Sequence, residues 1–448
     1  MKNRAMRRVT VRYTWDRLKV SFWFAPLVMS LGAVLLARMM YWIDAYIPND
    51  ALAYNRFIMA GSPADMRVML IGVATTVLAT AGVVFTLLTL PLGTVAAQYG
   101  SRLLRVFLGD RITQLVLGMF VSTFVYCIVA ATSIPPETVQ PEGPQISATV
   151  GLFLALATFA SLVLLVQHIS TMLQAPNIAA TAGAELLDVI RAEVPEKVAS
   201  GVRTSPGASE LPAEADGYPL RVSQPGYIQY IDPVYMLTLA REKNLLIHLQ
   251  RGPGHFVRHD AVVALVWPAG QVDQRLDKEL RRAFQVGNVR TPTQDIAYAF
   301  NQLVEMGVRA MSPAINDPFT AMTCLDYIGD GLALFIRQGE KPSHYYDRDG
   351  RLRLVLEPVR FDQLLNGAFD MLRHCSCDNA SVLLQMLKVI DTICQETKSP
   401  ESCQQLLRHV SLIQAESLAG ALTEQDRQLI QRSAEALQTK LDGTERPG

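Results

Sequence analysis

Long charge-free apolar runs fill the N-terminal part of the chain and then give way to a mixed, charge-rich remainder. Ser21 to Ala37 is uncharged, and beyond Arg38 the apolar character resumes to Ile43. Val68 to Leu90 and Ile112 to Ile134 hold no charge, and His168 is the one titratable side chain between Ile146 and Ala184. A helix needs about 20 apolar residues to cross a hydrocarbon layer about 30 Å thick. The runs therefore predict four spanning helices, near 21–43, 67–91, 112–133 and 148–173. The first follows a basic stretch, yet it is too long for a removable signal and lacks small cleavage-site residues around Tyr41-Trp42-Ile43. It reads as an anchor. Trp23, Tyr41, Trp42 and Tyr46 stand where interfacial aromatics belong.

Composition agrees. Of 448 residues, 50% are hydrophobic and 18% charged, against roughly 25% charged in an ordinary soluble domain, and the mean hydropathy is +0.19. The 41 basic and 41 acidic side chains cancel, which excludes a nucleic-acid-coating protein, since that binding needs a positive excess. Charge placement predicts orientation. The tail carries Lys2, Arg4, Arg7, Arg8, Arg12, Arg17 and Lys19 against Asp16, and the second loop carries Arg102, Arg105 and Arg111. The third loop has Glu137 and Glu142 with no basic residue. The positive-inside rule then places both termini of a multi-pass membrane protein in the cytoplasm. Cys127 falls in a span and the other five cysteines in a reducing compartment, so no disulfides are expected.

Within the spans, Gly72, Thr75, Ala79, Gly82, Thr86, Thr89 and Gly93 recur at three- and four-residue steps and share one stripe. Two readings stand: a packing seam, where small residues let helices approach closely, or a hydroxyl-lined path. Ser161, His168 and Thr171 share a face of the fourth span. Histidine there can carry protons or serve as an interfacial donor. Thr75, Thr86, Thr89, Ser161 and His168 are thus the path-lining candidates, and Arg102, Arg105 and Arg111 the candidate inner-leaflet contacts. Four helices this poor in polar groups do not enclose a wide lumen, so a path requires a homo-oligomer.

The remainder predicts a cytoplasmic α+β domain. Ala184 to Val198 has amphipathic spacing, and residues 199–226 are rich in Gly, Pro and Ser. Tyr227–Ile231 reads as a strand, Asp232-Pro233 as the cap of a short helix to Lys243, and Leu245–Gln250 as a strand turned by Arg251-Gly-Pro-Gly254. Phe256-Val257 and Ala261–Val266 continue the ladder. This pattern is similar to the biotinyl/lipoyl-type half-barrel, without its cofactor-bearing lysine. From about Gln271 the pattern is helical. Thr291-Pro-Thr-Gln294 reads as a capping box for a helix to about Met311. Asp317-Pro318 opens the next helix, and Asn316, Asp317 and Thr320 form either a rigid corner or a polar pocket. Lys341–Arg353 reads as a polar loop, followed by helices at about 361–375, 379–396, 400–418 and 423–441.

The expected division is a basic tail (1–20), a four-helix transmembrane domain (21–175), an amphipathic helix and linker (176–226), a small β-rich subdomain (227–290) and a helical subdomain (291–448). No phosphate-binding loop, nucleophile elbow or zincin motif occurs. His374-Cys375-Ser376-Cys377 lacks a second ligand pair for zinc. No enzyme activity, cofactor, metal or nucleic-acid partner is expected. Gly100-Ser-Arg-Leu-Leu-Arg105, Asp110-Arg111, Gln114, Leu117–Phe120, Thr123–Tyr126 and Arg309–Ala321 resemble a bacterial family of predicted inner-membrane proteins, domain of unknown function 2254. That resemblance implies the architecture and the membrane address and no chemistry. The functional expectations are two: an oligomeric channel-like protein with a cytoplasmic regulatory domain, or a sensor or scaffold whose helices only anchor.

Overall fold

The computed structural model describes residues 23–46, 61–99, 110–135, 144–172, 174–193, 203–205, 211–339, 342–397 and 399–444. The tail 1–20, Arg102 and Arg105 lie outside them. The chain divides into two compact units, Met1–Ile178 and Ala179–Gly448.

The first unit is built from helices α1 (Phe24–Tyr46), α2 (Pro63–Tyr99), α3 (Arg111–Ser133) and α4 (Gln145–Met172). Their apolar runs match the expected spans, though α2 continues beyond Pro91. The buried positions recur at helical steps: Pro26, Ala33, Ala37 and Asp44 on α1, and Ser147, Gly151, Thr158, Ser161 and Leu165 on α4. Small residues set the helix spacing. A Cβ added at Gly118 would meet Met29 Sδ at 2.5 Å, and one at Gly151 would meet Leu70 Cδ2 at 2.5 Å. The bundle is apolar outside, and inside it packs Ala37, Leu70, Val84, Phe120 and Ala130 around a few polar groups. It buries hydroxyls while leaving Leu35, Phe153 and Phe159 at 72%, 69% and 66% exposure. Water does not tolerate such a surface over four helices, and lipid does.

Helix α5 (Ala175–Glu193) runs into the second unit, where Leu186 lies against Gly331. That unit is mixed α/β. A six-stranded sheet has the order β1 (Arg203–Ser205), β8 (His344–Tyr346), β9 (Leu352–Val355), β4 (Leu246–Leu249), β6 (Ala261–Trp267), β2 (Tyr218–Val222). Its pairs are antiparallel except β4 with β9. A second, three-stranded sheet runs β5 (Phe256–Val257), β3 (Gly226–Ile231), β7 (Phe284–Gly287). Helices α6 (Pro233–Glu242) and α7 (Gln274–Arg281) accompany the sheets, and Leu220, Ile228, Met236, Ile247, Val263 and Leu280 form the common core.

Three expectations are corrected here. The strands of 227–290 do not form a half-barrel, because they divide between two sheets, one of which recruits β1, β8 and β9 from elsewhere. Lys341–Arg353 is not simply a loop: its buried Tyr345, with Leu354 just beyond, packs β8 and β9 into the core. Thr291–Gln294 is not the cap of α8 (Ile296–Ala310). Asp295 caps it by accepting from Tyr298 N at 2.9 Å, while Gln294 bridges the backbone N and O of Ile231.

The helical part comprises α8, α9 (Pro318–Gln338), α10 (Phe361–Cys375), α11 (Ala380–Glu396), α12 (Pro400–Ala419) and α13 (Glu424–Thr444). Among the described residues, length and composition qualify five helices as able to cross a membrane, α1–α4 and α9. In α9 the most apolar stretch is 56% buried, against 17–44% in α1–α4. Its Cys324, Leu325, Ile328 and Leu332 are core residues of the α/β unit, which accounts for its hydropathy.

Candidate functional site

The polar groups of the helical unit fall into three layers along the α3–α4 seam. At one end Asp44, 8% exposed on α1, accepts from Ile146 N at 2.8 Å, Ser147 N at 2.9 Å and Ser147 Oγ at 2.5 Å. A carboxylate from one helix thereby caps the N-terminus of another, satisfying donors that a helix start leaves free. Tyr126, fully buried, donates to the Ser147 carbonyl at 2.9 Å. Nearby, Arg67 donates to the Ile134 carbonyl at the end of α3 at 2.5 Å. In the middle, the Thr123 and Thr158 hydroxyls meet at 2.8 Å and Ser161 donates to the Thr158 carbonyl at 2.7 Å. At the far end Asp110 caps α3 by accepting from Thr113 N at 2.7 Å, and its same oxygen lies 3.1 Å from His168 Nε2. Between the middle and far layers, Val116, Phe120 and Leu165 pack as an apolar plug. At this level the described residues fill the interior of the bundle.

The five path-lining candidates do not share a face within one chain. Ser161 is buried in the seam and His168 is paired with Asp110. Thr75, Thr86 and Thr89 point outward, away from the buried face of α2 marked by Met66, Leu70, Ala74, Val77 and Val84. Their hydroxyls donate to their own helix, to the carbonyls of Ile71, Gly82 and Thr86. Gly72, Gly82 and Gly93 lie on the same open side: a Cβ added at any of them meets nothing within 4 Å. The stripe is therefore not the seam that joins α2 to its own bundle. Arg111 is exposed at the first position of α3.

In the second unit, Asn316, Asp317 and Thr320 form a corner. Asn316 has φ +48°, and Asp317 accepts from Thr320 N at 3.1 Å and Thr320 Oγ1 at 2.5 Å. Asp317 N donates to the Ala310 carbonyl at 2.8 Å, closing the turn between α8 and α9. Every polar atom of Asp317 that this geometry uses is directed at the fold itself, as a helix cap requires.

Sequence reading missed Asp44, Tyr126, Thr123 and Asp110 as members of one system. The signal was present in part, since Ser147, Gly151, Thr158, Ser161, Leu165 and His168 follow three-, four- and seven-residue steps on α4. Asp44 carries no comparable local sign: its partner lies about 100 residues away.

Comparison with known proteins bears on this arrangement. A family model described as predicted membrane protein, domain of unknown function 2254, matches residues 19–392. The chain is similar to uncharacterized proteins of Mycobacterium bovis and Mycobacterium tuberculosis. It is 26% identical to each over 446 residues, covering 97% of this chain and 82% of each relative. No solved structure matches. With several membrane-capable helices in its N-terminal half and a mixed α/β region after them, the chain belongs to this family of predicted membrane proteins of unknown function.

Proposed function

We propose that the protein is an oligomer of the bacterial inner membrane in which the Gly/Thr face of α2 meets neighbouring subunits and lines a narrow polar path. α1–α4 span the bilayer, both termini lie in the cytoplasm, and the α/β unit biases the path between states. One observation carries the reading. The described bundle packs on itself, yet α2 holds its glycines and threonines on the side with no intrachain partner among the described residues. Side chains of a helix facing only lipid have no use for such small residues, whereas a helix meeting another helix does. Ser161 and His168 belong to the seam within each subunit, and the path falls to Thr75, Thr86 and Thr89. Arg102, Arg105 and Arg111 meet inner-leaflet phosphates, in keeping with the basic inner loops. Asn316, Asp317 and Thr320 set the α8–α9 corner that transmits strain within the α/β unit.

Flux from liposomes tests it. Thr75→Leu and Thr86→Leu replace a path-facing hydroxyl by a branched alkyl group, so each loses most of the leak of the wild type while keeping its fold. Equal rates in all three, including none, reject the path. The anchor reading draws on a different observation, that the α/β unit has a complete core of its own. It predicts that residues 199–448 alone retain the cellular role, which the path reading forbids.

A further inference from the structure

We infer that the hairpin from Arg251 to His259 is a docking surface for an anionic lipid leaflet. The inference is independent of whether α2 lines a path. Three features of the segment converge. Phe256 on β5 is 56% exposed, with the ring of Tyr227 edge-on at 5.2 Å and Val257 beside it buried at 1%. Arg251 and Arg258 flank it and are exposed, and among the described residues neither guanidinium has a hydrogen-bond or ion-pair partner. His255 and His259 are exposed too. The acid of the segment, Asp260, is engaged by His259 Nδ1 at 2.9 Å, and its carbonyl accepts from Arg221 at 2.7 Å.

The hairpin is held rigidly. Gly254 has φ +86° and its amide donates to the Ile228 carbonyl at 2.8 Å, while Ile228 N donates to the His255 carbonyl at 3.0 Å. A Cβ at Gly254 would strike the Asp295 carboxylate, which is itself gripped by Arg290 through two bonds of 2.8 and 2.9 Å. The exposed ring is therefore presented, not merely left out. An aromatic ring with unpaired arginines on both sides matches the headgroup layer, where rings settle among the glycerol groups and guanidiniums take phosphate. An acidic protein would satisfy the charge but not call for the ring between the arginines. The chain's own membrane helices keep such a surface at high effective concentration.

Amide hydrogen exchange on the full-length protein in nanodiscs tests this. The discs are of phosphatidylcholine alone or of phosphatidylcholine with phosphatidylglycerol. Each basic residue near an anionic surface adds about fivefold to partitioning. Exchange at 254–258 is expected to slow at least about fivefold on adding phosphatidylglycerol and to recover in high salt. Arg251→Glu with Arg258→Glu abolishes the difference, and Phe256→Ser reduces it while Phe256→Leu retains it. Unchanged exchange in β4 and β6 shows that the variants are folded. Equal exchange in both lipid compositions overturns the proposal. So does the same protection in neutral detergent micelles, which would assign the surface to a second copy of the chain.

Discussion

Arg353→Met destabilises the α/β unit by about 3 kcal/mol, the cost of leaving one member of a buried ion pair alone. Arg353 and Asp347 side chains are each 9% exposed and paired at 2.7 Å. The other oxygen of Asp347 accepts from Asp349 N at 3.0 Å and Arg351 N at 2.9 Å, and Arg353 also donates to the Leu245 carbonyl at 3.4 Å. The pair thus ties the β8–β9 turn to the start of β4. Methionine fills the volume but strands a buried carboxylate. Burial pushes the Asp347 carboxyl up, but the Arg351 amide and the Arg353 guanidinium outweigh it and hold the group below its ordinary 3.8. A depressed folded value means that the unfolded chain binds protons first. The stabilisation is complete at neutral pH and is lost as pH falls below 3.8 through the folded value. Hydrogen exchange of β4 and β9 reads both effects: faster in the variant at neutral pH, with the acid-dependent loss of the wild type missing. Unchanged exchange would show that the pair is dispensable.

Asp44→Ala costs about 2–4 kcal/mol, because the start of α4 loses its cap and a charged acceptor of three hydrogen bonds at once. Asp44 is buried within the bundle, so water does not replace the missing acceptor. Asp44→Asn retains an acceptor oxygen and recovers part of the loss. Thermal unfolding of the full-length protein in mild detergent checks this ordering, wild type above Asn above Ala. Identical midpoints would remove Asp44 from the account of how α1 and α4 are joined.

The parts of this fold that could be read from sequence are those written in adjacent residues. Charge-free runs announced α1–α4, and Asp232-Pro233 and Asp317-Pro318 announced helix starts, because a capping side chain and its amides lie within one turn. What stayed hidden depends on distant partners. β8 and β9 lie in a stretch whose composition is that of a loop, and only a parallel partner about 100 residues upstream turns Leu354 and Val355 into core. Gln294 looked like the partner of Thr291 in a capping box, but β3 offered it a free backbone edge at Ile231. The stripe on α2 was visible as a periodicity, yet periodicity does not say which neighbour a face meets. The bundle supplies the answer by packing Met66, Leu70, Val77 and Val84 instead. The α3–α4 seam was half visible: Ser161 and His168 stood out as polar residues in an apolar run, while Thr123, Tyr126 and Asp110 acquire meaning only opposite Thr158, Ser147 and His168.

The mass of the particle in native-like lipid discs goes most directly to the claim that the outward face of α2 joins subunits. The account predicts that the wild-type chain of 49.4 kDa gives a multiple of that mass, and that Gly82→Leu, which fills an open position on the face, returns it to the single-chain value. A wild-type particle holding one chain would contradict it.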